Sequence, residues 1–179
     1  ISLCGQAHEK IHYNTRGEII CRGGFLLGDG TGCGKGRQIA AVIADNWNQG
    51  RTRAVWISCS RSLKEDARRD FNDLGIAINI FELGGKGLKW GNLATQIEKN
   101  ASVHSSKDPA GGVIFATYAS LYQQRGKNSK KMRCDELIEW LLGDPSKQCG
   151  VIVRLTCDRR DSRRLSSFRF FRSSRLLLL

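Results

Sequence analysis

The sequence is short of proline, methionine and long apolar runs. It has two prolines and one methionine in 179 residues, so helices and strands can run with few prolyl breaks. No apolar stretch approaches the roughly 20 residues of a membrane-spanning helix; the run that closes the chain, Leu176 to Leu179, is too short. No membrane partner is therefore expected. A charged leader followed by an apolar segment is missing too, so a signal peptide is not expected. The seven cysteines (4, 21, 33, 59, 134, 149 and 157) form no Cys-x-x-Cys pair and have no histidine at ligand spacing. That argues against a disulfide framework or a zinc site and for reduced thiols in an intracellular protein. The chain opens on Ile1, and Met132 is its only methionine, so a piece of a longer protein is expected.

At 40% apolar and 26% charged residues, a packed core is affordable and whole-chain disorder is excluded. The charge is uneven. Lys and Arg number 29 against 17 acids, for a net +12. From Arg154 to Leu179 there are eight Arg, no Lys and two acids, so that segment carries +6, half of the total. One reading is an arginine-rich arm for nucleic acid. The other is sequence never selected to fold, such as a misread exon boundary. The second fits better, for a reason given by the residues it replaces. Two regions are expected: a body over 1–153 and an aberrant or disordered Arg/Ser/Leu-rich tail over 154–179.

Within the body, short β-rich runs alternate with helix-period segments, the pattern of an α/β fold with a mostly parallel sheet. Strands are expected at Gly24–Leu27, Ala54–Ser58, Ile76–Phe81, Val113–Thr117 and Gly150–Val153. Helices are expected at Gly36–Gln49, with Ile39, Val42, Ile43 and Trp47 on one stripe, and around Leu63–Leu74, capped by Ser60 and closed by Gly75. Glu65 and Arg69 stand four apart and are expected to pair. The stretch Glu82–Gly112 reads as a long excursion with one helix near Leu93–Lys99. A short helix runs through Leu121. Asp135–Leu142 reads as a helix burying Leu137, Ile138 and Leu141, and the basic run Lys127, Lys130, Lys131, Arg133 as a solvated loop.

The chemistry concentrates in Gly28-Asp29-Gly30-Thr31-Gly32-Cys33-Gly34-Lys35-Gly36, between an expected strand and an expected helix. Glycines there let backbone N–H groups turn inward as an anion nest, and the helix start adds partial positive charge. Lys35 supplies a point charge for the β- and γ-phosphates. Gly30, Thr31, Gly32, Cys33, Gly34, Lys35, Gly36 and Arg37 are the candidate nucleotide-binding residues. Two departures from G-x-x-x-x-G-K-[ST] stand out: Asp29 replaces the first glycine, and Gly36 replaces the hydroxyl residue that ligates Mg²⁺.

The block Gly24-Phe-Leu-Leu-Gly-Asp-Gly-Thr-Gly-Cys-Gly-Lys-Gly-Arg-Gln-Ile-Ala40 resembles the P-loop of the Strawberry notch family of helicase-like ATPases. Three further blocks agree in order: Arg53–Ser58 with Leu63–Asp70, Gly112–Leu121, and Gly150–Val153. The resemblance covers about residues 5–153 and implies a RecA-like lobe that binds ATP with Mg²⁺. It also implies DNA or RNA and chromatin or transcription factors as partners, with a nuclear, transcriptional role. In that family glycine and arginine commonly follow the lysine, as Gly36 and Arg37 do here. Its acidic Walker B residues would follow Val153, where this chain has Arg154-Leu155-Thr156-Cys157-Asp158. That coincidence favours the misread boundary, and no catalytic residue is assigned. The adenine-reading glutamine lies upstream in such enzymes, and Gln6 does not replace it. The loops at Ser58 and Ser60, and at Thr117 and Tyr118, resemble places where helicases touch a nucleic-acid backbone; plain strand ends are an equal reading. Two rival functions stay open: a nucleotide-binding interaction module without turnover, and a basic nucleic-acid-binding protein led by its tail.

Overall fold

Strand β3, Arg53–Ser58, is buried from Ala54 onward and is the middle of the molecule. In a computed structural model the described residues are 1–30, 32–103, 108–126, 131–143, 151–154 and 177–178, with backbone alone for 19–22, 151–154 and 177–178. On one side of β3 lies β5, Gly112–Thr117, in parallel register from Arg53↔Gly112 to Ser58↔Thr117. On the other side lies β6, Val151–Arg154, also parallel. The outer positions belong to β4, Ile80–Glu82, and β7, Leu177–Leu178, giving the order β4-β5-β3-β6-β7.

Successive strand side chains point to opposite faces, and that alternation divides the core in two. Ala54, Trp56, Val113 and Phe115 face α2 (Lys35–Asn48) and α3 (Leu63–Asp73), meeting Ile39, Ala40, Ile43, Ala67 and Phe71. Val55, Ile57, Ile114 and Ala116 face α4 (Leu93–Asn100), α5 (Tyr118–Leu121) and α6 (Arg133–Leu142), meeting Leu93, Ile97, Leu121, Leu137 and Leu141. The expected α/β fold, a parallel sheet with helices on both faces, is what the chain forms. Before it come a helix and a hairpin that no sequence signal announced: α1, Ser2–Glu9, then β1, Ile11–Tyr13, paired with β2, Ile19–Arg22.

Several expectations need correction. Gly24–Leu27 makes no strand beyond a single bridge at Gly24; Leu26 is 86% exposed and only Leu27 packs against the α2–α3 core. The position beside β6 is taken by Leu177–Leu178, two residues of the tail expected to be disordered. β4 begins at Ile80 rather than Ile76; just before it, the Asn79 Oδ1 accepts hydrogen bonds from the Ser102 and Val103 backbone at 3.1 Å. Ser60 does not cap α3; Ser62 holds the cap position, and the Ser60 hydroxyl pairs with that of Ser62 at 2.9 Å. Glu65 meets Arg68 at 2.9 Å, while Arg69 meets Asp66 at 3.1 Å, so both pairs are spaced three apart rather than four. Gly75, with φ 67°, closes α3 as expected. Lys127, Lys130, Gly150 and most of the tail lie outside the described residues.

Arg133 is the largest correction. It is no solvated cation but the first residue of α6, 1% exposed. Its Nη2 donates to the carbonyls of Leu88 and Lys89, each at 2.7 Å, and its Nη1 to Glu136, itself 4% exposed. The guanidinium also lies 4.9 Å from the Trp90 ring centre. The excursion after β4 thus ends its turn on carbonyls that a buried guanidinium satisfies, pinning it to the α6 face. Among the described residues no helix is long and apolar enough to cross a membrane. Arg133→Ala should cost about 3 kcal/mol or more, because it leaves the buried Glu136 carboxylate without its charge partner. Urea unfolding of the variant beside the parent chain measures this.

Candidate functional site

The glycine-rich loop enters α2 through Gly34, which holds the N-cap position at φ 71°, ψ 27°. Gly32 is also left-handed, at φ 83°. Only glycine takes these values without strain. Nothing lies within 4 Å of where a Cβ would stand at Gly28, Gly32 or Gly34, so the loop's side is open. No side chain caps α2, and its first turn carries no acid of its own. The N–H groups at that helix start therefore lack an internal capping side chain, and their partial positive charge favours an anion.

Lys35 folds back over the loop. Its ammonium donates to the Asp29 carbonyl at 2.8 Å and also to the Gly30 carbonyl. Gln38, one turn on, donates to the Asp29 carboxylate at 2.9 Å. Asp29, the first departure from the generic motif, is thus the loop's internal brace, gripped from α2 by Gln38 and holding Lys35 through its carbonyl. The loop closes on itself with one cation at its mouth. Of the eight nucleotide-binding candidates, Gly30, Gly32, Cys33, Gly34, Lys35, Gly36 and Arg37 come together on this loop and the first turn of α2. Thr31 lies outside the described residues.

The second departure, Gly36, has a neighbour that sequence reasoning missed. A Cβ at Gly36 would stand 1.9 Å from Asp70 Oδ2 and 2.9 Å from its Cγ. Asp70 is on α3 and only 8% exposed. Burial raises its pKa; Arg69 and Arg37 pull the other way, and Asp66 and Asp73 add to the rise. The folded chain thus holds that proton to higher pH than the unfolded one, and whatever stability the protonated form contributes is lost as pH rises through the folded value. Beside this contact Arg37 reaches Asp73, Nε to Oδ2 at 3.2 Å.

The four nucleic-acid candidates are placed differently. Ser58 ends β3 fully buried, and its hydroxyl finds no partner among the described residues. Thr117 is 8% exposed and accepts the Ser120 N–H at 3.3 Å as the cap of α5. Tyr118 is also 8% exposed, and Ser60 is exposed. They share the carboxyl edge of the sheet, but Ser58 and Thr117 face inward because their strands are central ones. Among the described residues no cluster of three or more His, Cys, Asp or Glu could hold a metal.

The model of one family, P-loop containing NTP hydrolase pore-1, matches residues 1–165. The chain belongs to that family. Its curated relatives include strawberry notch homolog 1 of Gallus gallus and of Homo sapiens, each 41% identical over 160 residues, 89% of this chain. The strawberry notch homolog of Caenorhabditis elegans is 41% identical over 141 residues, 77% of this chain. The chain spans 12%, 10% and 7% of those three proteins, respectively. The resemblance read from the four sequence blocks is therefore shown, and this member of the P-loop NTP hydrolase family is an α/β, RecA-like lobe related to strawberry notch proteins.

The loop geometry of this lobe can be tested directly. Gly34→Ala forces a Cβ into a left-handed backbone, which costs roughly 1–2 kcal/mol. Affinity for a fluorescent ADP analogue should fall about tenfold, while the far-ultraviolet circular dichroism stays that of the parent chain.

Proposed function

We propose that the chain binds ATP, with Mg²⁺, on the Gly30–Gly36 loop as the first lobe of a helicase-like ATPase. The observation that carries this is the Lys35 ammonium held by the Asp29 and Gly30 carbonyls at the mouth of an uncapped helix start. A triphosphate fits that donor set. The backbone N–H groups of the loop and of the first turn of α2 would hold its β- and γ-oxygens, and Lys35 would exchange carbonyl partners for phosphate oxygens. Asp29, gripped by Gln38, keeps the loop from opening as that exchange occurs. The metal fits less completely, since Gly36 offers no hydroxyl and no described acid cluster stands ready. It would rest on phosphate oxygens and water. When bound, Mg²⁺ would supply positive charge against the phosphates that Lys35 and the loop N–H groups hold.

Turnover asks for more than binding: an acid on the metal, a group that positions water, and an arginine from outside the loop. No Asp-Glu pair occurs after Val153, and we read the chain as truncated in function before its Walker B acids. That observation also favours a second reading, a nucleotide-responsive interaction module that binds without hydrolysis. DNA or RNA, chromatin and transcription factors are proposed partners, and a nuclear role in transcription the proposed setting. These rest on likeness to strawberry notch proteins, of which this chain spans a small part.

Lys35→Ala should remove most affinity for the ADP analogue without lowering the melting temperature, since the side chain serves a loop rather than the core. Equal binding by the two chains would remove the phosphate-loop reading. The chain as it stands should hydrolyse ATP at or near background in a multiple-turnover phosphate-release assay, with or without DNA or RNA. Catalytic release that Lys35→Ala abolishes would show that the missing acids are supplied from elsewhere.

A further inference from the structure

The contact between Gly36 and Asp70 joins the phosphate loop to a helix 34 positions further along the chain. We propose that Asp70 is the positioning residue of the phosphate-binding turn, acting through Gly36, and that glycine stands at this place because Asp70 occupies the space of any side chain there. The inference rests on the reading of the loop as a nucleotide site, and it concerns how that site is held.

The geometry leaves little choice. An added Cβ at 1.9 Å from a carboxylate oxygen and 2.9 Å from the carboxyl carbon lies far inside contact distance. Either α2 moves away from α3 or the carboxylate leaves. A long side chain could swing its end aside, but Asp70 is short and its side chain is 12% exposed. Arg69, 62% exposed, meets it only at 3.8 Å, a surface pair of small worth. What holds Asp70 in place is burial between helices. Phe71, the next residue, is 1% exposed in the core that also contains Ile39 and Ala40, so α3 cannot rotate the carboxylate away without breaking that core.

A carboxylate on the flank of a helix start is also electrostatically placed. The first turn of α2 carries no acid of its own, and Asp70 supplies a negative charge from outside that favours the helix start. It does so at the side of α2, leaving the loop's mouth with Lys35. Arg37, one residue past Gly36, and Asp73, one turn past Asp70, add a second, exposed strut between the two helices. The first turn of α2 is thus set against α3 by shape at Gly36 and by charge at Asp70. One consequence runs against the generic motif: a hydroxyl residue at position 36 should disable this loop rather than complete it.

The test is a mutant cycle on the full chain, read in two ways. The first is hydrogen exchange of the Lys35–Ile39 amides without nucleotide, and the second is affinity for the fluorescent ADP analogue. Gly36→Ser should speed exchange in that turn and weaken binding, each about tenfold, while the amides of β3 and β5 keep their protection. Adding Asp70→Ala to Gly36→Ser should return both readouts to those of Asp70→Ala alone, since the space is then free. Adding Asp70→Asn, which keeps the volume, should not rescue. Gly36→Ser exchanging and binding like the parent chain, or losses that simply add across the cycle, would overturn the proposal. Should the parent and Lys35→Ala chains bind the analogue alike, the nucleotide reading falls, and the exchange data still decide the role of Asp70.

Discussion

Burial of β3 on both faces is the constraint from which the rest of the lobe follows. A strand with backbone partners on either side and helices above and below must alternate its side chains between two cores. It does so with Ala54 and Trp56 on one face and Val55 and Ile57 on the other. β5 repeats the alternation in register, with Val113 and Phe115 beside the first pair and Ile114 and Ala116 beside the second. The small residues Ala54 and Ala116 lie in opposite cores, so each face has one shallow place where a helix can come close. α2 and α3 share the face of Ala54, and their mutual approach brings Asp70 against Gly36. The position of the phosphate loop is thus a consequence of how tightly two helices share one side of a strand.

Charge inside the lobe is used where backbone groups would otherwise go unpaired. Asp108 illustrates the rule at the amino end of β3. Burial would raise its pKa, but hydrogen bonds from Arg53, Thr52 and the Ala110 N–H, with the Arg53 charge, hold it below the usual carboxylate value. Its stabilising effect is present above the unfolded value and lost as pH falls through the folded one. Arg53 donates as well to the Trp140 carbonyl at 2.7 Å, so one guanidinium ties β3 to α6 and to the loop before β5. Arg133 does the corresponding work for the excursion after β4. Lys35 differs from both. Its partners are two loop carbonyls at the surface, which the proposed phosphate would displace, whereas Arg53 and Arg133 are committed to the fold.

What was legible in the sequence was whatever lies within one stretch of chain. β3 and β5 are continuous apolar runs with branched residues, and α2, α3 and α6 have the periodicity of one buried stripe. All appear within a residue or two of where pattern places them. The loop glycines and Lys35 were legible for the same reason. The rest depends on partners far away in sequence. Gly24–Leu27 has strand composition but pairs only at Gly24, since strand composition alone does not decide which neighbour a β edge receives. Arg133 reads as one more base in a basic run until Leu88, Lys89 and Glu136 surround it. Asp70 carries no signal of its own among the several acids of α3, and only the approach of α2 shows that it is buried against Gly36. Gly36 was visible as an oddity in the motif, and its cause was visible only in three dimensions.

Binding and turnover draw on separate parts of such a lobe, which is why one can persist without the other. The proposed phosphate-facing groups lie within Gly30 to Arg37, in a local unit of a loop and a helix start braced through Asp29 and Gln38. Its one long-range support comes from α3, on the same face of the sheet. Nothing in that unit requires the carboxyl ends of β3, β5 or β6. Hydrolysis does need groups there, because a metal-holding acid and a water-positioning residue must reach the γ-phosphate from the strand edge. At that edge Ser58 is enclosed, Thr117 is committed to capping α5, and β6 ends at Arg154. On the proposed reading, the loop can therefore keep its cation and backbone donors whether or not the strand edge supplies the acids that hydrolysis needs. The two halves of the activity would then be lost, or regained, independently.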